Sequence, residues 1–95
     1  MATPPENTVV NNPQAGRFEV KKDGILAVLE YRLAEGKIVL IHTEVPEALG
    51  GQGIGSQLAR AGLDYARAQG LKVVPLCPFV AGYIQKHPEY QDLVK

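Results

Sequence analysis

Apolar and polar residues alternate with a period of two through the first half of the chain. In the second half the period near 3.6 takes over, so strands are expected before helices. Phe18 and Val20 share one side of an extended run, with Arg17, Glu19 and Lys21 on the other. Asp23-Gly24 then separates this run from a second, in which Ile25, Ala27, Leu29, Tyr31 and Leu33 fall on one face. Asp-Gly between two such runs is a strong hairpin signal. A second tight turn at Ala34-Glu35-Gly36 leads into a third strand over 37–45, apolar on nearly both faces until His42. Strands apolar on both faces belong in the middle of a sheet. Helical spacing begins at Ile54, with Leu58, Gly62 and Tyr65 on one face, Ala59, Ala61 and Ala66 beside it, and Gln57, Arg60, Asp64 and Arg67 opposite. Gly70 is placed to end that helix. Residues 71–77 read as a strand that the helical crossover makes parallel to the third. Pro75 within it donates no ladder hydrogen bond, which predicts a bulge or a strand parting from its neighbour. Pro78 opens a last helix that buries Phe79, Val80, Tyr83 and Ile84 and ends at His87-Pro88, after which Tyr90, Leu93 and Val94 pack back.

These elements define an α+β fold. An antiparallel three-strand meander continues through a helical crossover to a parallel, splayed strand, and helices pack on the sheet. Residues 17–95 make one domain, while residues 1–16, rich in Pro and Asn with only Val9 and Val10 clearly apolar, read as a flexible tail. Ten basic and ten acidic side chains cancel, so the chain lacks the electrostatic footprint of a nucleic-acid or anionic-membrane binder. The longest apolar runs are far too short to span a bilayer. A single cysteine excludes an internal disulfide, and no Cys/His spacing suggests a metal site, so a cytoplasmic protein without metal is expected.

Between the third strand and the first helix lies Gly50-Gly51-Gln52-Gly53-Ile54-Gly55-Ser56. Strand, glycine loop and helix N-terminus together make an anion cradle, because glycine lets successive amides converge and the helix end carries a partial positive charge. A P-loop would need a lysine after Gly55, where Ser56 stands. A dinucleotide fingerprint would need glycine at 56.

The stretch Gly51-Gln52-Gly53-Ile54-Gly55, with Val45-Pro46 before it and Leu58 in the helix after it, resembles the acyl-CoA loop of the GNAT superfamily of N-acetyltransferases. Gly53 and Gly55 match the two small positions of its Arg/Gln-x-x-Gly-x-Gly/Ala motif. Gly50 stands where Arg or Gln is usual, which removes a side chain and keeps the amides. Ile41-His42-Thr43-Glu44-Val45-Pro46, the loop, Leu76-Cys77-Pro78-Phe79-Val80 and His87-Pro88-Glu89-Tyr90 together resemble the minimal YjdJ-like branch. The resemblance implies acetyl-CoA as cosubstrate. Its pyrophosphate would lie on the amides of Gly50, Gly51, Gln52, Gly53, Ile54, Gly55 and Ser56, and its pantetheine along Thr43, Glu44 and Val45 as an added strand. It also implies an amine acceptor, small molecule or protein.

Acetyl transfer needs a neutral amine, a polarised thioester and a proton for the departing thiolate. His42 and Glu44 share a face of the third strand. Imidazole, ordinarily titrating near about 6.5, suits proton acceptance, and Glu44 is its orienter or an alternative base. Cys77 ends the next strand and is expected at the same cleft, either as proton donor or as an acetyl acceptor in a ping-pong route. Three plainer readings stand beside these: a hydrogen-bonded core histidine, a solvent-facing Glu44 and an inert buried thiol. Many relatives carry a catalytic tyrosine on the last helix. Here Ile84 takes that position, and Tyr83, one residue away, is expected to pack. The helices that normally follow the first strand are replaced by the Asp23-Gly24 turn. The acceptor side is therefore expected to be open, or completed by a second subunit. A non-catalytic acyl-CoA-binding module is the alternative function.

Overall fold

The computed structural model describes residues 8–94. One five-stranded sheet runs in the order β1 (Val10–Asn12), β2 (Arg17–Lys22), β3 (Ile25–Ala34), β4 (Lys37–Glu44) and β5 (Lys72–Pro75). The first three pairings are antiparallel and β4–β5 is parallel, so β4 is interior as its apolar composition predicts. Helix α1 (Ile54–Gln69) makes the crossover, α2 (Pro78–Lys86) follows β5, and a 3₁₀ segment, Pro88–Leu93, closes the described chain. No helix among the described residues is long and apolar enough to cross a membrane.

The β2–β3 hairpin turns where expected. Asp23 and Gly24 both adopt positive φ, 53° and 74°, which is the backbone of a two-residue turn matched to strand twist. The structure differs before Arg17. Val10, Asn11 and Asn12 pair with Glu19, Phe18 and Arg17, extending the sheet into a stretch read as tail. The anchors are polar, which is why an apolar pattern missed them. The Tyr31 hydroxyl donates to Asn11 Oδ1 at 2.6 Å, and the Tyr31 amide donates to the Gly16 carbonyl at 2.8 Å. Residues 1–7 of that expected tail lie outside the described residues.

Both helices cover the same face of the sheet. Phe18, Val20, Ala27, Leu29, Tyr31, Ile38 and Leu40 point inward and meet Leu58, Ala59, Leu63 and Ala66 of α1 and Val80 and Ile84 of α2. Gly62 lets α1 lie close, since a Cβ there would stand 3.1 Å from Leu29 Cδ2. Leu33 is half-exposed, although it shares the alternation of the buried residues. The 3₁₀ segment packs back through buried Tyr90 and Leu93, but Val94 stays exposed. Hydrogen bonds latch it to α1, among them one from Arg67 to the Glu89 carbonyl at 2.6 Å. The Tyr90 hydroxyl donates to Asp64 Oδ1 at 2.6 Å, and Arg67 donates to both Asp92 carboxylate oxygens at 3.0 and 3.1 Å. Among the described residues no helix lies on the opposite face of the sheet, and Leu26, Glu30, Arg32, Ile41, His42 and Glu44 are exposed there.

Candidate active site

A β-bulge decides which side chains meet. On β4, Leu40 faces Tyr31 and His42 faces Glu30, leaving Ile41 as the extra residue. Directly paired residues share a face, and one inserted residue exchanges the faces beyond it. Ile38 and Leu40 therefore point into the core, and Thr43, opposite buried Leu29, points to the same side. His42 and Glu44 are turned to the uncovered face. The imidazole Nε2 lies 3.7 Å from Glu44 Oε1, with both side chains more than half exposed.

Cys77 lies on the other side. It is 3% exposed, and its Sγ is 3.3 Å from Thr43 Oγ1. The expectation that His42 and Cys77 converge at one point is thus corrected: the bulge rotates His42 away and brings Thr43 to the thiol instead. Pro75 contributes the other half of the geometry. Beyond it the Leu76 amide turns back to the Val74 carbonyl at 3.1 Å, and the Cys77 amide rejoins β4 at the Leu40 carbonyl at 3.0 Å. Past that bond β5 has ended and the chain enters α2, so the β4 edge from Ile41 onward loses its strand neighbour. Cys77 is the N-cap of α2. Burial pushes its thiol up, but the Thr43 hydroxyl and the amides of Val80, Phe79 and Thr43 more than offset this and hold it below the ordinary value. A thiolate at a helix N-terminus is stabilised in this way.

The parted edge opens into a groove of about 380 Å³ lined by Thr43, Val45, Leu49, Gly50, Gly51, Gly53, Ile54, Gly55, Ser56 and Phe79. Eight of the ten residues expected to hold acyl-CoA line it. The Glu44 side chain faces away, and Gln52 stands at the loop tip. The loop is pinned below by a 3₁₀ turn, Glu47–Leu49, whose Leu49 is buried. Its glycines do different work. Gly51 and Gly53 have φ of 77° and 75°, where a side chain is strained. Gly50 has ordinary extended backbone, and Gly55 is small because a Cβ would come within 3.0 Å of the Phe79 ring.

Among the described residues no side chain caps α1, and its first turn contains no acidic residue. Its first hydrogen bond runs from the Gln57 amide to the Gly53 carbonyl at 3.0 Å, so the amides of Ile54, Gly55 and Ser56 have no partner within the helix. This arrangement suits an anion: orphan amides, the positive end of a 16-residue helix, and a backbone that glycine keeps open. The apolar remainder, Val45, Leu49, Ile54 and half-exposed Phe79, suits an uncharged chain attached to it. Sequence reasoning named neither Leu49 nor Phe79 for the groove. Helical spacing puts Phe79 in the core, yet it is 46% exposed. Lys22, at the end of β2, contacts the Gln52 side-chain oxygen and so reaches the loop from thirty residues away. Tyr83 packs as expected, its ring stacked on His87 at 3.9 Å.

A family model described as GCN5-related N-acetyl-transferase matches residues 17–93. The chain belongs to that family. Among similar proteins are Protein NATD1 of Mus musculus, 36% identical over 97% of this chain and 93% of the relative, and Protein NATD1 of Homo sapiens, 39% identical over 81% and 71%. A GCN5-like protein of Staphylococcus aureus solved by NMR shares the fold with a TM-score of 0.72 and 31% identity, covering 93% of this chain and 87% of that one. Family and fold are those of acetyltransferases, and the groove sits where the family resemblance placed acyl-CoA.

Proposed function

We propose that this protein is an acetyl-CoA-dependent N-acetyltransferase working by direct transfer across the sheet. The observation that carries this reading is the groove itself, which joins the N-terminus of α1 to the β4 edge beyond β5 and is lined by Thr43, the hydrogen-bond partner of the Cys77 thiol. The amides of residues 51–56 hold the pyrophosphate. The β4 edge at Thr43 and Val45 receives pantetheine as an added strand, and the thioester comes to rest where Thr43 meets Cys77.

The bulge then gives the two proton transfers separate sides. The amine approaches from the uncovered face, where His42 accepts its proton and Glu44 orients the imidazole. Nitrogen attacks the carbonyl carbon, the carbon–sulfur bond breaks, and the CoA thiolate takes the proton of the Cys77 thiol. With His42 and Cys77 on opposite sides, neither has to serve both steps, and this favours direct transfer over a Cys77 acetyl-enzyme. Among the described residues no helix narrows the acceptor face, consistent with an amine carried on a large or varied molecule.

The test is acetyl transfer from labelled acetyl-CoA to a panel of primary amines, comparing wild type with His42→Ala and Cys77→Ala. Loss of one general acid or base lowers turnover about 10²–10⁴-fold. Both variants should fall within or near that range and retain CoA affinity. Tight CoA binding with no transfer to any amine would make the protein a non-catalytic acyl-CoA-binding module instead. A protein-bound acetyl group that vanishes in Cys77→Ala would establish the ping-pong route.

A further inference from the structure

Among the described residues no cationic side chain lines the groove, although the ligand assigned to it carries a pyrophosphate. The fold brings one to its rim. Phe18 and Val20 on β2 point to the α1 side, and two residues further the same alternation puts Lys22 on that side, at the end of the strand. β3 extends past the point where Val28 pairs with Glu44, so the β2–β3 turn overhangs the glycine loop. There the Lys22 ammonium donates to the side-chain oxygen of Gln52, flanked by Gly51 and Gly53 of the groove wall.

We infer that Lys22 is a cofactor-binding residue that pairs with the pyrophosphate of acyl-CoA, with Gln52 holding its ammonium at the rim of the cradle. This rests on the acyl-CoA reading of the groove. Backbone amides supply direction and only partial charge, whereas the ammonium supplies a full one, so the two parts complement each other. Lys21 is a built-in control. It is adjacent in sequence and carries the same charge, but it is exposed on the opposite side of β2, paired with Leu26.

The test is calorimetric titration of the full chain with CoA and with 3′-dephospho-CoA. Lys22→Gln should weaken both ligands by the same factor, about five- to tenfold for one partly exposed charge-assisted contact. The dependence of affinity on salt should become shallower. Lys22→Arg should stay within about threefold of wild type and Lys21→Gln within about twofold, on the same scale of exposed-charge effects. A merely structural role for Lys22 would leave the salt dependence unchanged. If wild type binds CoA and Lys22→Gln binds it equally, the inference fails and the acyl-CoA reading stands. A loss confined to CoA would move the lysine to the 3′-phosphate and overturn the pyrophosphate assignment. If wild type binds neither ligand, both readings fall.

Discussion

The loop glycines should rank by backbone geometry and by the space around each Cβ. Gly53 is the N-cap of α1 at φ 75°, and a Cβ added there would have nothing within 4 Å, so crowding plays no part in the effect of an alanine. The left-handed backbone alone costs an L-residue about 1–2 kcal/mol. For a domain of this size that lowers Tm by roughly 5–10 °C. Gly51→Ala, at φ 77° and equally uncrowded, should behave alike. Gly50 has φ −65°, ψ 151°, and its added Cβ would meet only the Glu47 carbonyl at 3.2 Å, so Gly50→Ala should cost less than about 1 kcal/mol. Gly55 lies in the helix. Alanine there gains up to about 1 kcal/mol in propensity but must displace the Phe79 ring, 3.0 Å from its Cβ. In a Phe79→Ala background the same change should therefore be stabilising. Thermal and urea unfolding of the single variants and of the Gly55/Phe79 double-mutant cycle would measure all of this. Asn at 53, which tolerates the left-handed region, should recover part of the loss. Equal costs at 50 and 53, or no coupling between 55 and 79, would refute the reasoning.

Other consequences concern the thiol, the C-terminal latch and the groove wall. Iodoacetamide should modify Cys77 slowly because it is buried, with a pH midpoint below that of an ordinary cysteine, and CoA should protect it; a midpoint at or above the ordinary value would contradict the hydrogen-bonded thiol. Tyr90 donates to Asp64, and that bond, with burial, raises its phenol to about 12. A folded pKa above the unfolded one stabilises below the unfolded value and loses that effect as pH rises through the folded one. Tyr90→Phe should therefore cost about 1 kcal/mol at neutral pH, and the gap to wild type should close between the unfolded phenol's pKa of about 10 and pH 12. Phe79→Ala should weaken CoA binding by about 1–2 kcal/mol with little change in stability, since its half-exposed ring serves the groove more than the core.

The sheet order, the parallel crossover, both helices and the glycine cradle were readable because each rests on a local signal: alternation, Asp-Gly, helical spacing, or glycine before an apolar stripe. The bulge at Ile41 was not, because residues 38–41 are all apolar and show no break in alternation. A trace of it was present. In an unbroken strand His42 and Glu44 would fall in phase with Ile38 and Leu40 and be buried, and two polar residues at core positions are the sign of an inserted residue. Without the bulge His42 is joined to Cys77, when the thiol's partner is Thr43. β1 escaped notice because its pairing is backbone to backbone and its side-chain anchors are asparagines. Alternation already sets Lys22 on the side of Phe18 and Val20 and Lys21 on the other, but the place of Lys22 at the cradle depends on a contact across thirty residues that only the folded chain supplies.

The most direct test follows backbone amide signals of ¹⁵N-labelled protein during titration with CoA. The account predicts saturable shifts concentrated at residues 51–56 and at Thr43 and Val45, with a smaller response at Cys77 and Phe79 and little change in the Asp64–Tyr90 and Arg67–Asp92 latch. Shifts that avoid the loop, or no saturable response, would contradict the assignment of this groove to acyl-CoA.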